Sequence, residues 1–193
     1  MCWNEKVSYN SFAIGILVSI ILFYRNKPFD RTIAVLTFFY SMVQYAEANI
    51  WKYLNNTKSN LYYTKMIYFL LWSQVFAVGL GLYLNTGNYN CIIIGILLFI
   101  YGYYNSPKFS ISKPTQLSNQ HLVWGFDYNF YTVICIVMLY FIFKYTDLKY
   151  TRIYLTFFLA TLLLSWITNK VVAASMWCWI SAVLSFIPLI FIH

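Results

Sequence analysis

Runs of apolar residues, broken by turn formers and charges, divide the chain into seven hydrophobic segments near 8–24, 31–53, 61–84, 90–104, 128–144, 150–168 and 171–192. The breaks carry groups that hydrocarbon rejects: Arg25 to Asp30, Asn55 to Asn60, Asn85 to Asn90, a longer polar stretch from Asn105 to Asp127, Tyr145 to Lys149, and Asn169-Lys170. About 20 apolar residues carry a helix across a bilayer. The pattern therefore predicts an all-α fold, a seven-span transmembrane helical bundle forming one domain over residues 1–193. A short fourth run and a tight link between the last two leave six spans plus a re-entrant segment as the alternative. Strands of a membrane barrel would show about ten residues of alternation, whereas these runs are long and continuous.

Composition agrees. With 61% hydrophobic and 9% charged residues in 193, the chain has too little polar surface to cover a water-soluble globule. That excludes a soluble cofactor fold and a disordered tail. The net charge of +8 would suit nucleic acid if it were clustered. The basic residues instead stand singly around the ends of apolar runs, where they set topology and meet anionic headgroups. Cys2, Cys91, Cys135 and Cys178 show no paired spacing, so they form neither a zinc knuckle nor a disulfide framework. The first run is too long for a signal core and lacks a small-residue cleavage site, so it is expected to be retained as a span. No internal duplication is evident.

Seven crossings put the termini on opposite faces. Lys6, Lys52, Lys58, Lys108, Lys113 and Lys170 fall on the N-terminal face, with Lys65 about a turn into the third span and able to snorkel back. Arg25, Lys27, Arg31, Lys144, Lys149 and Arg152 fall on the other face, crowded into two short loops where the positive-inside bias acts most strongly. The expectation is a lumenal or outside N-terminus and a cytoplasmic C-terminus. The sequon Asn55-Asn56-Thr57 lies on the N-terminal face and fits that orientation.

Glu47 is the acidic residue set well inside a span. It belongs to a stripe of Tyr40, Gln44, Glu47 and Trp51 on one helix face. A charge facing lipid there would cost about 2.5 kcal/mol or more, so Glu47 is expected to face protein, water or a cation, about 8 Å below the N-terminal face. One reading is a protonated or salt-bridged Glu that clamps helices, partnered by a lysine such as Lys65 or Lys170; the other is a polar pocket. The last span brings Trp177-Cys178-Trp179 to a depth of about 12 Å. Its small stripe of Ala174, Cys178, Ser181 and Ser185 serves either close helix packing or a cavity. Removal of Met1 would expose an amine and a thiol at Cys2, a bidentate metal ligand or nucleophile. His121, followed by Trp124, lies in the longer loop, where a lone histidine is ordinarily solvated.

Topology places Cys2, Glu5, Gln44, Glu47, His121 and Cys178 in the same half of the membrane. Thiolate, imidazole and carboxylate suit a divalent metal such as zinc, with Cys2, Glu47, His121 and Cys178 as the candidate ligands. Gln44, Glu47, Trp51, Trp124 and Trp177 are the candidate pocket wall for a small polar ligand or cation. The four candidate metal ligands share no fixed local spacing.

The opening Met1-Cys2-Trp3-Asn4-Glu5 with Ser8, the Gln44-x-x-Glu47-x-x-x-Trp51 stripe running into Lys52 and Asn55, the loop His121-Leu122-Val123-Trp124 and the segment Ser175 to Trp179 resemble a family of multispanning membrane proteins of giant and other large DNA viruses. The N-terminus is similar, more distantly, to bacterial membrane proteins that begin Met-Cys-Phe-Ser. The resemblance implies a viral source and an intracellular host or virion membrane, and supplies no activity. Alkaline ceramidases are loosely similar in having seven spans and an Ala-Glu pair like Ala46-Glu47, but they hold zinc with several histidines, and this chain has His121 and His193 alone. Retinal proteins need a lysine deep in the last helix, where Lys170 sits only at the mouth. Three functions remain open: a pocket binding a cation or small polar molecule for sensing or transport, a metal-dependent hydrolase acting on lipid with Glu47 as general base, and a structural or membrane-remodelling role. A homo-oligomer is left open, with the lipid bilayer as the constant partner.

Overall fold

The computed structural model describes residues 4–115, 121–127 and 129–147, with isolated positions beyond them. The expected sixth and seventh spans lie mostly outside the described residues. Each of the first five apolar runs is a helix: α1 Glu5–Arg25, α2 Asp30–Lys52, α3 Thr57–Thr86, α4 Asn90–Tyr104 and α5 Tyr131–Tyr145. Between α4 and α5 a short antiparallel pair, β1 Lys113–Pro114 and β2 Leu122–Val123, is set into the long loop with Lys113 opposite Val123. The fold is all-α in character. Two helices, α1 and α3, are long and apolar enough to cross a membrane, and α4 and α5 are apolar but shorter.

Local chemistry sets the helix ends. Asn4 caps α1 by accepting from the Val7 N–H at 2.9 Å, and Asn56 caps α3 through the Ser59 N–H at 3.0 Å, each satisfying one of the orphan donors of a first turn. Asn26 and Gly87 take the left-handed conformation that closes α1 and α3. The turn into α2 is tighter. Phe29 is also left-handed, with φ 73°, which costs a side-chain-bearing residue about 1–2 kcal/mol. The next residue, Asp30, fixes it: its buried carboxylate accepts from Arg25 Nε and Nη2, both at 2.7 Å, and from the Lys27 N–H at 3.0 Å.

Short connections make α1, α2 and α3 successive antiparallel neighbours, and α3 packs in turn on α4 and α5. Helix α1 turns Ser8, Ser11, Gly15, Val18, Ser19 and Leu22 inward, and exposes Ile14, Leu17, Ile20, Ile21 and Phe23. Helix α4 repeats the arrangement, burying Cys91, Gly95 and Gly102 while exposing Ile93, Ile94, Ile96, Leu97 and Ile100. Small or polar residues inside and bulky aliphatics outside reverse the pattern of a helix packed in water. They match helices that approach through small side chains. A Cβ on Gly95 would run into the Phe76 backbone and one on Gly79 into that of Cys91, so α3 and α4 meet backbone to backbone. Helix α2 sits between its neighbours and is buried almost all round from Tyr40 to Ile50.

Candidate functional site

The end of the bundle where α1 starts, α2 finishes and α3 starts is closed by residues 105–115 and 121–127 of the loop between α4 and α5. Glu47 lies there on α2 with no exposed surface. Its Oε1 accepts the indole N–H of Trp124 at 2.9 Å, and its Oε2 accepts from the Gln44 side-chain amide at 3.1 Å. Gln44 is one helical turn earlier on the same helix; Trp124 arrives from 77 residues away. Both carboxylate oxygens are thus oriented by N–H donors, and the acid faces the interior of the bundle.

Three of the expected pocket residues, Gln44, Glu47 and Trp124, are therefore in direct contact. Tyr40 is buried on the same stripe, and Trp51 is half-buried against the core. Trp177, Cys2 and Cys178 lie outside the described residues. Tyr9 of α1 donates to Asn49 at 3.2 Å, which brings the start of α1 to the level of Glu47. The neighbouring Ser8 is fully buried, and among the described residues its hydroxyl finds no hydrogen-bond partner.

The loop holds Trp124 in place because α3 satisfies its backbone. Asn60 works as a two-pronged clasp: its amide donates to the Ser112 carbonyl at 3.0 Å and its Oδ1 accepts the Ser112 N–H at 2.9 Å. Thr64, one turn on, shares a hydrogen bond of 2.8 Å with the Ser112 hydroxyl, and that hydroxyl also accepts the Gly125 N–H at 3.2 Å. Ser110 N–H donates to the Gly125 carbonyl at 2.8 Å. Glycine is required at 125, since a Cβ there would land on the Ser110 carbonyl. Aromatic packing completes the seat. Trp124 stacks on Phe126 at 5.7 Å, and Phe126 and Phe109 both meet the Tyr68 ring edgewise, at 5.5 and 5.3 Å. The Tyr68 hydroxyl donates to the Gly102 carbonyl at 2.9 Å.

Two expectations are corrected. Lys65 is not the clamp for Glu47: it is exposed, and its ammonium stands 5.8 Å from the centroid of the Phe109 ring. Lys170, the other expected partner, lies outside the described residues. His121 is not solvated in the loop. It is 5% exposed, and its backbone closes the β1–β2 hairpin, accepting from the Thr115 N–H at 2.7 Å and donating to the Thr115 hydroxyl at 3.0 Å. Burial pushes the imidazole below its ordinary value.

Among the described residues no group of three or more His, Cys, Asp or Glu side chains is close enough to hold a metal. Of the expected metal ligands, Glu47 and His121 are described, and Cys2 and Cys178 are not. The residues that sequence reasoning missed are Asn60, Thr64 and Ser112. The available signal was the polar pair Asn60 and Thr64, one turn apart at the mouth of an apolar helix. Set against family models, curated proteins and solved structures, the chain matches none of them.

Proposed function

We propose that this chain is a multispanning membrane protein whose interior polar site, centred on Glu47 and capped by the Trp124 loop, binds a cation or small polar molecule for sensing or transport. The observation that carries the reading is the fully buried Glu47 carboxylate, oriented at both oxygens by Gln44 and Trp124. It lies in a helix flanked by two helices that are long and apolar enough to cross a membrane. An acid at such a depth costs several kcal/mol in a bilayer, and a cheaper neutral residue would pack a helix as well. The Ser8 hydroxyl, which has no hydrogen-bond partner among the described residues, offers a second polar contact at the same level. Seven spans, a cytoplasmic C-terminus and an intracellular host or virion membrane belong to the same proposal, supported by the charge pattern and by the resemblance to viral membrane proteins.

The test is thermal unfolding of the protein in detergent with Na⁺, K⁺, Mg²⁺, Ca²⁺, Zn²⁺ and choline, in wild type and E47Q. A ligand present at about 100 times its Kd adds about 2.7 kcal/mol, roughly 5–10 °C for a chain of this size. The expected result is a shift with one of these in wild type that E47Q abolishes. No shift with any, or equal shifts in both proteins, overturns the proposal. A gain in stability in E47L with no other change would make Glu47 a latch for the loop.

A further inference from the structure

We infer that the groove on the outer side of α3 and α4 holds an acyl chain of an anionic glycerophospholipid whose phosphate sits at Lys65; this rests on reading α3 as a membrane span. The groove, about 400 Å³, lies between Lys65, Met66, Phe69, Leu70 and Ser73 of α3 and Phe99 of α4. Lys65 is the charged residue of its lining, and with Tyr62 it stands toward the end nearer the start of α3. Below it the walls are apolar, because the Ser73 hydroxyl is turned back on its own helix, donating to the Phe69 carbonyl at 2.8 Å. From Lys65 to Ser73 the helix rises about 12 Å, the reach of the upper part of an acyl chain.

Charge follows the same order as a lipid. Positions 58, 62, 65, 69 and 73 recur at spacings of three and four, so they share one face of α3. That face begins with the exposed Lys58, passes the exposed Tyr62 and Lys65, and continues as apolar wall. Lys108, also exposed, is the chain neighbour of Phe109, the ring over which Lys65 is held. Among the described residues Lys65 pairs with no carboxylate, so its charge is available to a phosphate. A zwitterionic headgroup brings no net charge to these lysines, whereas an anionic one brings a net negative charge.

The experiment is reconstitution of the full chain in nanodiscs of phosphatidylcholine containing one-fifth phosphatidylserine, followed by native mass spectrometry of the lipids that stay bound. Wild type is expected to retain phosphatidylserine beyond its share. K65Q should lose about five-fold of that preference, the worth of one lysine near a membrane surface, and K27Q at the opposite end should keep it. L70W fills the groove and leaves the cations in place, so it should also lose the preference. Circular dichroism confirms that each variant retains its helices, and K65Q, at an exposed position, decides the matter if L70W does not fold. Preference unchanged in K65Q, or retained with the groove filled, overturns the lipid site. A chain that stays in solution without detergent and does not enter the discs overturns the membrane reading itself.

Discussion

Replacing Trp124 with Phe keeps an aromatic ring against Phe126 and removes the N–H that reaches Glu47 at 2.9 Å. Glu47 is wholly buried and Trp124 is 5% exposed, so solvent does not supply a substitute donor. A buried hydrogen bond to a charged acceptor is worth about 1.5–3 kcal/mol. That loss falls on the seating of the loop rather than on the whole bundle. Hydrogen exchange of peptides covering Ser110 to Ser112 and Leu122 to Phe126, in detergent micelles, reads the opening equilibrium directly. The expected acceleration in W124F is roughly ten- to hundredfold, since each 1.4 kcal/mol is tenfold. The lost ring volume also contributes, and a cycle with E47Q separates the two. The volume loss is the same in both backgrounds, whereas the hydrogen-bond loss shrinks once the acceptor is neutral. A coupling of about 1–2 kcal/mol is expected. Coupling below about 0.5 kcal/mol, within the additivity of independent sites, would refute the pairing of Trp124 with Glu47 as the force that seats the loop.

The same exchange assay should find N60A more damaging than W124F, because it strands both the N–H and the carbonyl of Ser112, each worth about 1–3 kcal/mol. N60D, which keeps an acceptor for the Ser112 N–H, should fall between N60A and wild type. At the other end of the bundle, D30A removes the partner of Arg25 and the acceptor of the Lys27 N–H. Breaking a buried pair in this way costs about 3 kcal/mol, so the thermal midpoint should fall by several degrees; an unchanged midpoint would show that the left-handed Phe29 turn holds without the carboxylate. For His121 the folded imidazole titrates below the ordinary 6.5, so below that pH the opened loop binds a proton more readily than the closed one. Loop protection should therefore be complete above pH 6.5 and decline as the pH falls from there toward the depressed value, and H121Q should flatten this dependence.

The helices were legible because their signal is local. Apolar runs bounded by Asn, Lys and Pro gave the fourth helix its observed ends and placed α1, α2, α3 and α5 within a few residues of theirs. The inward turn of Glu47 was legible for an energetic reason, since no other direction in a membrane accommodates an acid cheaply. Its partner was half legible. The order of the apolar runs put Trp124 at the same end of the bundle as Glu47 and gave no hint that its indole would travel to α2. The fate of His121 was misjudged for a related reason. A histidine in a polar stretch looks solvated until the stretch itself is known to fold down onto the helices.

That folding explains the remaining polar positions. A loop of irregular backbone packed among helices leaves N–H and carbonyl groups without intra-segment partners, and such backbone is tolerated only where protein satisfies it. Ser110 and Gly125 pair with each other, and Thr115 pairs with His121, which leaves Ser112 in need of outside help. Asn60 and Thr64 supply it from the first turns of α3. Trp124, the loop's bulkiest buried side chain, carries a donor of its own, and Glu47 receives it. Polar residues at the end of α2 and the start of α3 are therefore two answers to one requirement. Such residues on neighbouring helices, facing a loop of some twenty residues rich in Ser and carrying buried aromatics, are a sequence signature of a loop that enters the bundle instead of lying over it.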